Sequence, residues 1–272
     1  MKKTSDELAQ ENTTEQSMES SATRQSRRSL LKGTVAGVAA TAGISGLAAY
    51  GLAATTHVEA AAAHGTGCVD SFQTILTVAR TLERLAVTFV ENGVKHAEQL
   101  GLSGATLANV KAVLVEEQIH ELFLHDHGAG VLASDFSFPH GPKSFTDIKI
   151  FLQTLAEIGG VFDTVYLAAT KEFAELGRPD WAQVAAQIAW VEGEHLALGR
   201  QIGINIGLIS PPANNWAFAP SLIPSVGALP AIAKKEGYLS PRPGNHYAYH
   251  QVSIDDPGVI YRKPFVASSS CS

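Results

Sequence analysis

Glu117-Gln118-Ile119-His120 and Glu192-Gly193-Glu194-His195 repeat one pattern, a glutamate followed three residues later by a histidine. On an α-helix, positions i and i+3 share a face, so each tetrapeptide presents a carboxylate and an imidazole side by side, the ligands a metal pair takes inside a helix bundle. A single Glu-x-x-His arises easily by chance, whereas two at corresponding places form a constellation. Their same-face neighbours are apolar or small: Val110, Val113 and Leu124 around the first, Ala185, Ile188 and Gly199 around the second. Glutamate is rarely buried without a partner, so acids in the middle of apolar stripes call for a cation.

Outward from these motifs, apolar residues return at three and four positions with almost no alternation. This periodicity predicts helices over about 70–99, 104–126, 144–175 and 180–207. Gly101-Leu102-Ser103-Gly104 separates the first two and Gly177-Arg178-Pro179-Asp180 the last two, with Asp180 the expected N-cap. Short loops make each pair an antiparallel hairpin, and the longer passage from 127 to 143 crosses the bundle. The expected fold is all-α, a four-helix bundle of two antiparallel hairpins. Nine of the twelve prolines lie at or after Pro211, so the segment from 209 reads as an irregular, proline-rich extension over the bundle, with room for a short helix near 224–237. The expected organisation is a leader over 1–60, the bundle over 61–208 and the extension over 209–272.

The first helix adds Glu83, with Leu76, Ala79, Ala86, Val87 and Val90 on its side. Groups that share a metal must lie at one height. Glu83 stands about 19 residues before Leu102, and Glu117 and His120 about 15 and 18 after it, which at ~1.5 Å per residue brings all three within about a turn of one another. Helix four gives similar values counted from Arg178. Helix three breaks the pattern, because the same spacing lands at 158, between Glu157 and Gly159. Glu157 shares its side with Gln153, Thr154, Gly160 and Thr164 and reads as solvated. Asp163 follows the apolar side with Gly159 and Tyr166 and is the candidate fourth acid.

The charge of −6 resides beyond residue 60, since six basic and six acidic residues cancel before it. A mildly acidic body gives no electrostatic case for nucleic acid or anionic lipid. Ser26-Arg27-Arg28-Ser29-Leu30-Leu31-Lys32, ahead of the weakly apolar run 33–54, resembles a twin-arginine export signal, with Val58-Glu59-Ala60 as a cleavage site. An uncleaved membrane anchor is the alternative. The expectation is export by the twin-arginine machinery to a periplasmic, cell-surface or extracellular location. Cys68 and Cys271 either pair or stay free thiols. No Gly-rich phosphate loop, Gly-x-Ser-x-Gly or Cys-x-x-Cys is present, which leaves nucleotide, hydrolase and dithiol chemistry unsupported.

Over about 68–207 these residues resemble the ferritin-like superfamily, which includes bacterioferritins and rubrerythrins, and more closely its exported branch related to desiccation-related and fungal stress proteins. The resemblance rests on Leu82-Glu83 with Phe89, Glu117-x-x-His120, Tyr166 with Ala168 and Ala169, and Val191-Glu192-x-x-His195. It implies a di-iron or di-manganese centre in which Glu83 and Asp163 are terminal ligands, Glu117 and Glu192 bridge, and His120 and His195 give one imidazole to each metal. Gly159 stands where the family carries its helix-three acid. The implied partners are metal ions with O2 or peroxide, in a possible homo-oligomer, and the implied reaction is Fe(II) oxidation or peroxide disposal with Tyr166 as a redox or hydrogen-bonding neighbour. Tyr166 as plain core packing, and a non-catalytic, stress-protective bundle, are the alternatives.

Two further clusters read as surface. His125, Asp126 and His127, with Glu121 one turn before His125, end the second helix as a second exposed metal site or a polar helix terminus. His246 and His250, with Tyr247 and Tyr249, lie in the extension.

Overall fold

A computed structural model describes residues 69–265. The stretch that resembles an export signal and both cysteines lie outside the described residues.

Four long helices build the body: α1 (Phe72–Lys95), α2 (Gly104–Asp126), α3 (Ile148–Glu175) and α4 (Pro179–Asn205). The first pair and the second pair each form a packed hairpin, and α1 meets α3 while α2 meets α4, which closes a four-helix bundle. Gly101 and Gly177 take φ of 68° and 71° in the two hairpin turns, a left-handed conformation that a side chain would strain.

The caps differ from expectation at two places. Pro179 is itself the first residue of α4, and Asp180, the expected N-cap, lies in the first turn with its carboxylate forked on Arg178 at 3.2 and 2.9 Å. Proline suits a first helical position because its φ is preset and its missing N–H would have no partner there. The third helix was expected from 144. Instead Gly141–Phe145 forms a 3-10 turn, and Asp147 caps α3 by accepting from the N–H groups of Lys149 and Ile150.

Beyond α4 the extension supplies core as well as cover. A short helix α5 (Leu229–Lys235) follows a 3-10 turn at Val226–Ala228, and Val226, Leu229, Ala233 and Tyr238 are buried. Strand β1 (Asp135–Phe136) of the passage from α2 to α3 pairs antiparallel with β2 (Tyr247–Ala248), Phe136 opposite Tyr247. Phe89, Phe138, Phe145 and Phe151 pack at centroid distances of 4.9 to 5.7 Å and seat this passage on the end of the bundle.

Glu121 lies elsewhere than the terminal cluster in which the sequence placed it. It is buried, and one carboxylate oxygen accepts from Arg80 Nε at 2.9 Å and Arg84 Nε at 2.8 Å. Gln118 donates to its other oxygen at 3.2 Å and accepts from the backbone N–H of Val252, which ties the extension to α1 and α2. His125 and His127 remain exposed without it. His246 is likewise a surface residue, paired with Asp135 at 2.9 Å.

Candidate metal centre

The apolar stripes of α1, α2 and α4 face one another, and their embedded acids meet. Glu83, Glu117, His120 and Glu192 each offer a ligand atom, and the four atoms all lie within 4.8 Å of one another. The three carboxylates are 0%, 4% and 1% exposed, and His120 is half-buried. His120 Nδ1 stands 3.6 Å from both Glu83 Oε2 and Glu192 Oε1. His195 adjoins the group from α4, its Nδ1 3.2 Å from Glu117 Oε1 and 3.4 Å from Glu192 Oε2. None of these approaches forms a hydrogen bond, so Glu83 Oε2, Glu117 Oε2, His120 Nδ1, Glu192 Oε1 and His195 Nδ1 are all buried without a hydrogen-bond partner. An unmet buried polar atom costs about 1–3 kcal/mol. Five on residues gathered in one part of the core, four of which bring ligand atoms within 4.8 Å of one another, fit a cation-binding site.

Charge inside the centre is arranged by proximity. Burial pushes Glu117 well above the usual carboxylate range, and the neighbouring Glu192 adds to the push against the pull of His195. Burial alone would favour neutral His120, but the charge of Glu83 and the Glu192 and Glu83 carboxylates at its ring prevail and hold it at about 10. His195 is raised in the same way, against burial, by Glu116, Glu117 and Glu192. Burial would raise Glu192 too, yet the two imidazoles hold it at about 2. Without metal, protonated histidines therefore carry the positive charge that the acids require.

Tyr166 of α3 donates its hydroxyl to Glu83 Oε1, and burial followed by that carboxylate raises its pKa well above 10. It is the hydrogen-bonding neighbour of a candidate ligand. Asp163 is buried at 3% exposure but stands outside the four-atom group. Burial lifts it to about 7, with Glu192 adding and Arg200 and His195 opposing.

Gly159 explains the gap on α3. A β-carbon there would lie 2.6 Å from Leu196 Cδ2 and 2.9 Å from its Cγ, so the Leu196 side chain of α4 packs on the position and an acid there requires it to shift. Glu157, read as solvated, is half-buried and accepts from the Tyr238 hydroxyl at 2.9 Å.

Residues 72–203 match the family model of the ferritin-like domain. That stretch runs from the first residue of α1 almost to the end of α4, and all seven candidate site residues fall within it. No curated protein and no solved structure matches the chain. Within the matched stretch, one participant escaped the sequence reading. Glu116 Oε2 lies 2.8 Å from His195 Nε2, which holds the ring with Nδ1 toward Glu117 and Glu192. A carboxylate behind a ligating imidazole fixes its tautomer and orientation. The available signal was that Glu116, His120 and Phe123 recur at i, i+4 and i+7 on one stripe of α2.

Proposed function

We propose that this chain is an exported metal-dependent oxidoreductase of the ferritin-like kind, holding iron or manganese and consuming Fe(II), O2 or peroxide. The observation that carries the reading is the set of five unpartnered ligand atoms on Glu83, Glu117, His120, Glu192 and His195 at the centre of the bundle. Carboxylates mixed with a few imidazoles suit iron or manganese. Glu83, Glu117, Glu192 and His120 would hold one ion, and Glu117, Glu192 and His195 would hold a second, with Asp163, buried on α3, the candidate to complete it. Bound there, the metal supplies the electron exchange with O2 or peroxide.

The chain's own residues do the rest. Tyr166 keeps Glu83 oriented by donating to Oε1, which leaves Oε2 for the ion. Glu116 turns Nδ1 of His195 inward. Both imidazoles give up protons as metal binds, since a ligating nitrogen must be bare. The bundle walls exclude bulk water from the acids, so each electrostatic contact is stronger than at a surface.

Location outside the cytoplasm is part of the proposal and rests on Arg27-Arg28 and the apolar run behind them. A one-metal version is the second reading, favoured by Leu196 standing over Gly159. Anaerobic Fe(II) loading followed by metal analysis tests both. Two ions per chain with Fe(II)-dependent uptake of O2 or peroxide is the expected result, one ion per chain selects the second reading, and none refutes both.

A further inference from the structure

A cleft of about 520 Å³ runs between α2 and α4 and is roofed by Gly258–Phe265 of the extension. Its volume falls in the range of about 300–1,000 Å³ typical of small-molecule sites. Ile119 and Phe123 form one wall and Val184, Ile188 and Val191 the other, and His120 and Glu116 also line it. His120 thus belongs both to the metal group and to the cleft.

The roof is tied to α4 at its far end and braced within its own segment. Gln187 Nε2 donates to the backbone oxygen of Phe265 at 2.7 Å, and the Arg262 guanidinium clasps the carbonyls of Ile254 and Asp256. On this roof Ile260, Tyr261 and Phe265 are 76%, 91% and 79% exposed, and Trp190, which lines the same cleft, is 74% exposed. Large apolar side chains clustered at one cleft mark a binding surface. Charge narrows the class. Glu116 and Glu194 offset Arg262 and Lys263, so the lining favours neither sign, and the predominantly apolar walls disfavour any ion.

We propose that this cleft binds an uncharged, mainly apolar organic molecule and seats it against His120, beside the metal centre. The inference rests on the metal reading only for what lies at its inner end, because the cleft itself is built from residues outside the four-atom group apart from His120.

The test uses the neutral fluorescent probe N-phenyl-1-naphthylamine with the purified full chain, first without metal and then loaded with Co(II). Saturable binding of one probe per chain is expected. Gln187→Trp, which fills the cleft and removes a roof anchor, and Ile260→Glu, which puts a charge on an exposed roof position, should each weaken binding at least tenfold. Melting temperature and Co(II) uptake should stay at parent values in both. The probe should also shift the visible Co(II) absorption through contact with His120. Absence of saturable binding, parent-like binding in both variants, or a Co(II) spectrum indifferent to the probe overturns the proposal. The two readings fail separately: a chain that takes up Co(II) but no probe keeps the metal centre and loses the cleft, and one that binds probe but no metal does the reverse.

Discussion

Replacing Gly159 with alanine tests whether the third helix lacks its acid because the fourth helix occupies the space. The new methyl would arrive 2.6 Å from Leu196 Cδ2 and 2.9 Å from Cγ, so α3 or Leu196 must shift. Overpacking of this kind costs about 1–3 kcal/mol, and the better helix propensity of alanine returns about 1 kcal/mol. Gly159→Ala should therefore destabilise the parent by about 1 kcal/mol. In a Leu196→Ala background the obstruction is gone, and the same change should stabilise by about 1 kcal/mol. Leu196→Ala itself costs about 2–5 kcal/mol through the cavity it leaves, but that loss is common to both arms of the cycle. Urea denaturation of the four metal-free proteins, followed by circular dichroism, gives a coupling energy expected near 2 kcal/mol. Equal effects of Gly159→Ala in the two backgrounds, within about 0.5 kcal/mol, would refute the packing argument. If it holds, Gly159→Glu in the Leu196→Ala background is the route to a complete ligand set, read as tighter binding of a second Co(II).

Other consequences follow from the same contacts. His120, lifted from 6.5 to about 10, binds its proton more tightly folded than unfolded, so its contribution is complete below pH 6.5 and is lost as pH rises to 10. That contribution is on the order of 5 kcal/mol, and urea titrations of the metal-free chain should show stability falling across this window, less steeply in His120→Gln; a flat profile contradicts the assignment. Glu121→Gln leaves Arg80 and Arg84 without their shared acid and should cost about 3–5 kcal/mol by thermal denaturation, with metal content unchanged, since Glu121 lies outside the centre. Glu116→Ala frees the His195 ring and should weaken metal binding at that imidazole by about 10–100-fold in Co(II) titration, with the site at His120 unaffected.

The bundle and the core of the centre were legible because they depend on periodicity within single helices. Glu83, Glu117, His120 and Glu192 interrupt apolar stripes, and equal turn-to-residue spacing put them at one height. What resisted reading depends on contacts between segments. Glu121 stands one turn from Glu117 and Leu124 on the buried side of α2, but the partners that meet its charge, Arg80 and Arg84, come from α1. Gly159 registers in sequence as a missing acid, while its cause, Leu196, stands 37 positions away on another helix. Glu116 neighbours a candidate ligand in sequence but acts on His195 across the α2–α4 interface. In the extension, proline density correctly signalled irregular backbone yet concealed that Val226, Leu229 and Tyr238 complete the core.

The two buried acid clusters of this bundle are an internal comparison. Glu121 has two arginines and a glutamine amide within hydrogen-bond distance, so its charge is met by fixed cations of the chain itself. A few residues away on the same helix, Glu117 meets Glu83 and Glu192 with no lysine or arginine among them, only two imidazoles whose Nδ1 atoms make no hydrogen bond. A purely structural bundle would gain by replacing such a cluster with well-packed apolar residues, a change that is often neutral or stabilising by about 1–4 kcal/mol. Histidine differs from arginine in that it can surrender its proton and then ligate. A site that balances three carboxylates with groups able to exchange a proton for a metal bond is poised for an exchangeable cation, and this contrast with Glu121 supports the metal reading over a structural one.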